Sequence, residues 1–219
     1  MNETVEARSM ISVKEAIYLT VKRMFDILVG LLGIVAMIPI ILVVKVSNIT
    51  RGDFHSIFFT QKRIGKNGKE FKLYKFRSMV YNAEDVLKEL LKEEPYKTEW
   101  KLNQKLSNDP RITKVGQFLR KTSLDEVPQF INVLLGDMSL IGPRPLVPGE
   151  LDEHNGDHDI YEKMRPGITG WWASNGRSDT TYEERLKLEY YYINNCSIML
   201  DIKCIWRTIK AVLFKKGAK

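Results

Sequence analysis

Cysteine and histidine are scarce, with 2 and 3 copies among 219 residues. Cys196 and Cys204 stand eight apart in a stretch that reads as helical, so their side chains are too distant for a disulfide. Neither belongs to a C-x-x-C pair, which removes support for structural zinc. Reduced thiols in a cytosolic setting fit best. Internal repeats and low-complexity linkers are also missing, which leaves one mixed catalytic or binding unit of ordinary size plus an appendage. Charge is absent from the 18 residues Ile27 to Val44, ILVGLLGIVAMIPIILVV. Elsewhere charge is plentiful, and the formal net value of +7 favours polyanionic company: nucleic acid, an anionic membrane or nucleotide phosphates.

The uncharged run meets the length of a membrane segment, and no small-residue cleavage pattern follows it, so a secretory signal is excluded. Its 13 Leu, Ile and Val residues correspond to roughly −4 to −8 kcal/mol for insertion. Pro39 opposes a straight helix by about 3 kcal/mol, through a lost backbone bond and a ring clash. Insertion wins, with a bend. Arg8, Lys14, Lys22 and Arg23 precede the run, and Lys45, Arg51, Lys62, Arg63 and Lys66 follow it. The positive-inside tendency pulls both ends to the cytoplasmic side, which a plain span cannot satisfy. A re-entrant helix that breaks near Ile38 and Pro39 can; a single span and a buried core helix are the alternatives.

Downstream, residues 54–60 and 71–78 read as two strands around a Lys66-Asn67-Gly68-Lys69 turn. The second, FKLYKFRS, interleaves basic and aromatic residues as nucleic-acid stacking would, but a half-buried strand needs the same aromatics. Nucleic acid is therefore not an expected partner. Helices are expected over 83–94 with Asn82 as cap, 112–120, about 126–135, and Tyr182 to Ile193. The segment 197–215 combines Ile198, Met199, Leu200, Ile202, Ile205, Trp206, Ile209, Val212, Leu213 and Phe214 with Lys203, Arg207, Lys210, Lys215 and Lys216. It reads equally as an interfacial helix on an anionic leaflet or as a terminal helix on the core. The fold class is mainly α with a small β-hairpin, α+β, in a monotopic membrane protein. Its expected parts are a basic segment 1–21, a re-entrant element 22–50 and a cytoplasmic-face catalytic domain 51–219.

The stretch RKTSLDEVPQF, 120–130, sets two carboxylates, Asp125 and Glu126, before a proline. Ser123 and Glu126 match a capping box. Pro128 opposes that register, because it would lie inside the helix; a start at Asp125 or Glu126 puts it in the first turn instead. Both acids then stand at a helix mouth, whose free amides stabilise an anion by about 0.3–1 kcal/mol. An ionised aspartate there can attack phosphorus, and a carboxylate together with substrate phosphates is a usual way to hold Mg²⁺. Cap and nucleophile both remain open on local sequence. Arg111, Arg120, Arg144 in Gly142-Pro143-Arg144-Pro145, and Arg165, which opens a turn-rich loop, are candidate phosphate ligands. His154 and His158, four apart among acids, have the spacing of a metal site, but Asn155-Gly156 between them favours an acidic surface loop.

In order along the chain stand KRMFD, the proline-broken apolar run, FFTQKRIGKNGKEFKLYKFRSM, NDPRITKVGQFLRKTSLDEVPQFINVLLGDMSLIGPRP and RPGITGWWASNGRS. From about Lys22 onward the chain closely resembles the bacterial sugar transferases, the monotopic phosphoglycosyl transferases. That resemblance implies transfer of a sugar-1-phosphate from a UDP-sugar to undecaprenyl phosphate with release of UMP, at the cytoplasmic face of the bacterial inner membrane. It implies Asp125 as nucleophile, Glu126 as its partner, Mg²⁺ held by both, Arg120, Arg144 and Arg165 near the site, and a re-entrant helix bent at Pro39. Anionic inner-leaflet lipids are expected partners, and a homodimer is compatible with the sequence. Many members read W-A-Q-V-N-G-R where Trp171-Trp172-Ala173-Ser174-Asn175-Gly176-Arg177 stands here. The short stretch before the apolar run points to a core-only form without an N-terminal bundle.

Overall fold

The uncharged run forms the middle of helix α1, Val13–Ile49. The computed structural model describes residues 13–103, 105–176 and 180–213, so Arg8, Arg177, Phe214, Lys215 and Lys216 lie outside the described residues. Helix α1 is assigned as one element through Ile38 and Pro39. Its 37 residues correspond to roughly 55 Å at about 1.5 Å per residue. Asp26, Gly30, Gly33, Met37, Val44 and Asn48 recur at helical spacing and are buried, whereas Leu28, Leu31, Leu32, Val35, Ile38, Leu42, Val43 and Val46 are exposed. Only 22% of the most apolar window is buried. A core helix would be covered on every side, so the buried-core alternative does not describe this helix.

The chain divides into two compact units. The middle unit comprises Leu32–Lys62 and Lys72–Asn132; the terminal unit comprises Met1–Leu31, Arg63–Phe71 and Val133–Lys219. The hairpin strands are β1 (Phe58–Ile64) and β2 (Glu70–Phe76), paired as a two-stranded sheet. Asn67 (φ 58°) and Gly68 (φ 70°) supply the left-handed turn that the Asn-Gly pair predicts. The first strand begins at Phe58 rather than at 54, because the preceding residues fold locally. Asp53 accepts from the His55 amide at 3.1 Å and from Arg77 Nη1 at 2.7 Å.

In the middle unit follow α2 (Ala83–Leu90), α3 (Tyr96–Asn103), α4 (Lys114–Lys121) and the start of α5 (Gln129–Leu135). Asn82 occupies the N-cap position of α2 but makes no side-chain cap bond. Thr113 does cap α4, accepting from the Gly116 amide at 2.9 Å. The core of this unit is Met37, Val44, Ile57, Phe76 and Leu119, with Leu124, Val127 and Ile131 packed against it. Gly33 lies where a Cβ would collide with the Phe130 ring, so only glycine admits that contact.

The terminal unit holds strands β3 (Ser139–Ile141) and β4 (Gly167–Thr169), parallel, with Ser139 opposite Gly167 and Ile141 opposite Thr169. The expectation of a plain loop after Arg165 is thereby corrected. A Cβ at Gly167 would collide with the Gly142 backbone, so that glycine serves close strand approach rather than a turn. Short helices α6 (Glu150–Glu153), α7 (His158–Tyr161) and α8 (Trp171–Ser174) precede α9 (Tyr182–Asn195) and α10 (Ile198–Leu213). Thr181 and Glu184 form a capping box on α9. In α10, Leu200, Asp201 and Cys204 face inward, while Ile198, Met199, Ile202, Trp206 and Ile209 are exposed. Asp201 accepts from Lys22 Nζ at 2.8 Å. Arg23 donates to the carbonyls of Val133 (2.6 Å) and Leu134 (2.9 Å) in the last turn of α5, and Asp26 accepts from Leu140 N at 2.8 Å. Both cysteines are free thiols.

Candidate active site

Asp125 and Glu126 lie on a 3-10 turn, Leu124–Glu126, ahead of α5. The α-helix begins only at Gln129, with buried Pro128 just outside it; the expected helix mouth is thus a tighter turn. Leu124 and Val127 anchor both ends of the turn in the core of the middle unit. Ser123 makes no cap bond, and Glu126 Oε1 instead accepts from Lys75 Nζ at 2.8 Å. The capping-box reading is therefore excluded: Ser123 gives no cap bond and Glu126 is taken by Lys75.

Asp125 is half-buried. Burial raises its carboxyl above the ordinary aspartate range, and the adjacent Glu126 charge raises it further; Lys75 and Arg120 oppose the shift. Asp125 has no ion-pair partner among the described residues, in contrast to its neighbour. An acid in this setting is desolvated and held in no ion pair, with only the nearby charges of Lys75 and Arg120 favouring its ionised form. A carboxyl perturbed in this way marks a candidate functional group.

The four candidate arginines divide. Arg120, in the last turn of α4, is exposed, and its Nε donates to Ser78 Oγ at 2.8 Å. Arg111 is buried; its Nε and Nη2 donate to the two carboxylate oxygens of Asp109 at 2.9 and 2.7 Å, and its guanidinium lies over the Trp100 ring. That bidentate pairing uses the fork a phosphate would need, so Arg111 holds its own loop. These residues share the middle unit with Asp125 and Glu126. Arg144 and Arg165 belong to the terminal unit. Arg144 is gripped there along its length: its amide donates to Glu189 Oε1 at 3.0 Å, its carbonyl accepts from Tyr161 Oη at 2.9 Å, and Nη1 donates to Glu150 Oε1 at 3.0 Å. Arg165 is exposed.

His154 and His158 take separate partners. His154 stacks on Tyr182 at 3.5 Å, while the ring nitrogens of His158 contact Asp152 (2.9 Å) and Glu162 (2.8 Å). Sequence reasoning overlooked Lys75 and Ser78 as site residues. Lys75 stands in β2 and Ser78 two residues past its end, since the strand stops at Phe76 rather than at 78; only the fold reveals that it ends beside the acidic turn.

Among the described residues no group of three or more His, Cys, Asp or Glu side chains is arranged to hold a metal. Mg²⁺ needs fewer: one or two carboxylates suffice when substrate phosphates and water complete its shell. The Asp125 carboxyl, in no ion pair and beside Glu126, fits such an ion.

The family model described as "Bacterial sugar transferase" matches residues 17–215. The chain belongs to the bacterial sugar transferase family. Among similar members, the UDP-galactose-lipid carrier transferase of Erwinia amylovora is 45% identical over 198 residues, covering 90% of this chain and 41% of that protein. The undecaprenyl-phosphate galactose phosphotransferase of Salmonella typhimurium is 46% identical with the same coverage. The chain thus spans about two fifths of the length of these two sugar transferases. The exopolysaccharide production protein ExoY of Sinorhizobium fredii is 41% identical, with 90% of this chain and 87% of that protein aligned.

Proposed function

We propose that this sugar transferase moves a sugar-1-phosphate from a UDP-sugar to undecaprenyl phosphate, releasing UMP, in the first membrane step of polysaccharide or glycoconjugate assembly. The observation that carries this reading is the half-buried, unpaired Asp125 next to a lysine-held Glu126 on a turn fixed by core contacts at both ends. The names of the relatives support the acceptor and the sugar nucleotide class.

Asp125 ionises and its oxygen attacks the sugar-bearing phosphorus of the donor. The bond from that phosphorus to the bridging oxygen breaks, and UMP departs with the electron pair. The aspartyl-phosphosugar is then attacked by a phosphate oxygen of undecaprenyl phosphate, which expels the Asp125 carboxylate and regenerates the enzyme. Arg120, free on its outer edge, offsets the phosphate charge that accumulates on the donor. Lys75 keeps Glu126 directed, and thereby keeps a negative neighbour at a fixed place beside the nucleophile. Mg²⁺, held by Asp125 and Glu126, would supply charge neutralisation on the diphosphate.

The exposed apolar face of α1, the basic residues on both sides of its uncharged run and the Pro39 within it support a re-entrant insertion from the cytoplasmic face of the inner membrane. The exposed Ile198, Met199, Ile202, Trp206 and Ile209 stripe, bordered by Lys203, Arg207 and Lys210, supports α10 lying on an anionic leaflet.

The test is UMP release by the full chain, in detergent or lipid, from UDP-galactose, UDP-glucose and their N-acetylated counterparts with undecaprenyl phosphate. Release with one of these donors, together with radioactive sugar phosphate trapped on Asp125, is expected. Release without any label on that residue would overturn the covalent mechanism, and no release with any donor would overturn the assignment.

A further inference from the structure

The tetrapeptide Lys75-Phe76-Arg77-Ser78 sends its four side chains to four different tasks. Lys75 pairs with Glu126, Phe76 enters the core, Arg77 donates to Asp53 Oδ2 and the Ser56 carbonyl at 2.7 Å each, and Ser78 Oγ accepts from Arg120 Nε at 2.8 Å. The Ser78 backbone is fixed independently of that last bond. Its carbonyl accepts from the Thr113 amide at 3.0 Å, and Gly116 lies so close that a Cβ there would collide with the same carbonyl. Ser78 is itself buried, at 8% exposure. The hydroxyl is thus a stationary acceptor, placed by a strand end and by the first turn of α4.

Arg120 is the opposite kind of residue: a long, exposed side chain in the last turn of α4. Left alone it would sample many rotamers and lose that freedom on meeting a ligand. A guanidinium can grip a phosphate along either of two edges, Nε with one Nη, or both Nη atoms. With Nε engaged by Ser78, the first edge is occupied. The outer edge, Nη1 and Nη2, carries no hydrogen bond among the described residues. Arg120 is also close enough to Asp125 for its charge to lower that carboxyl.

We propose that Ser78 is a positioning residue for Arg120: its hydroxyl selects the outer Nη edge as the one presented to the donor's diphosphate and holds it there before substrate arrives. The inference rests on the phosphoryl-transfer reading above and adds a residue to it. It also explains why α4 is packed against Ser78 through a glycine and capped by Thr113. Both devices place Arg120's helix at a fixed distance from the hydroxyl.

The experiment is steady-state UMP release by the full chain, using whichever UDP-sugar the unmodified enzyme accepts. Ser78→Ala is expected to lower kcat/KM for the donor by about tenfold. Ser78→Thr, which keeps the hydroxyl, should recover most of it, and the melting temperature should be little changed, because Arg120 is exposed and its helix stays capped by Thr113. In an Arg120→Lys background, which keeps the charge but removes Nε, Ser78→Ala should cost nothing further. Arg120→Lys alone, with Ser78 intact, should lower kcat/KM at least as much as Ser78→Ala, so a poorly folded Ser78→Ala protein does not decide the matter alone. Unchanged kcat/KM in Ser78→Ala, or an equal loss in both backgrounds, overturns the proposal while leaving the reaction assignment intact. An unmodified enzyme that releases UMP from no donor overturns the assignment itself, and the role of Ser78 with it.

Discussion

Two clusters of acids can be set side by side. Asp125 and Glu126 sit on the turn after α4, and Asp152, His158 and Glu162 lie around α6 and α7. Each offers carboxylates at suggestive spacing. In the second, every charge has an answer: the imidazole of His158 lies between Asp152 and Glu162, and those contacts raise its pKa. In the first, only Glu126 is ion-paired, with Lys75; Asp125 is desolvated and pushed up, and the charges of Lys75 and Arg120 offset that only in part. The difference teaches that a site is marked less by the density of ionisable groups than by a carboxyl the fold desolvates without giving it an ion pair.

Removing that carboxyl is the largest test of the contrast. Asp125→Asn should reduce UMP release and sugar-phosphate labelling by about 1,000-fold or more. It should also raise the melting temperature at neutral pH. The sign follows from the raised carboxyl: between the ordinary aspartate range and the raised folded value the native state holds more protons than the unfolded state. Stability conferred by this residue therefore falls as pH rises through that window, and the asparagine variant lacks the fall. The same shift moves the acidic limb of the pH–rate profile above the usual aspartate range, as a rate series from pH 4 to 8 would record.

Lys75→Met comes next. It leaves Glu126 unanswered as well, and should lower kcat/KM by about 10- to 100-fold, the worth of one hydrogen bond between charged groups. An activity equal to the unmodified enzyme would mean that Glu126 needs no direction. The smallest effect is expected from His158→Gln. Activity should stay within about twofold, and stability should change by less than about 1 kcal/mol, because the pair is exposed and screened. What it contributes is present in full below the unfolded histidine pKa and disappears as pH rises through the raised folded value, so unfolding curves at pH 6 and pH 9 should differ only at the lower pH.

The acidic turn was legible because two carboxylates and a proline are adjacent in sequence, where local rules apply. The Asn-Gly hairpin, the presence of α4 and α9 and the apolar run of α1 were legible for the same reason, whereas the caps were not: Asn82 makes no cap bond, and Thr113 and Thr181 do. Lys75 was not. Its bond to Glu126 joins residues 51 apart, and a lysine on a strand looks alike in sequence whether it faces solvent or a carboxylate. Arg111 reads as a free cation until Asp109, two residues earlier, is seen to fill its fork; the Asp-Pro-Arg turn was the available signal. The pairing of β3 with β4 joins two three-residue segments, too short for a period to appear, and the glycine that permits it resembles a turn glycine.

Ser123 supports the acidic turn from an awkward posture, with φ 56° and ψ 17° in the left-handed region. For a residue with a Cβ this costs about 1–2 kcal/mol, so the chain carries tension one step before Leu124 and two before Asp125. Glycine in that position would relieve the tension and let the segment swing, and valine or isoleucine would strain it further. Tolerance to change at this single serine should therefore be narrow for reasons of backbone shape.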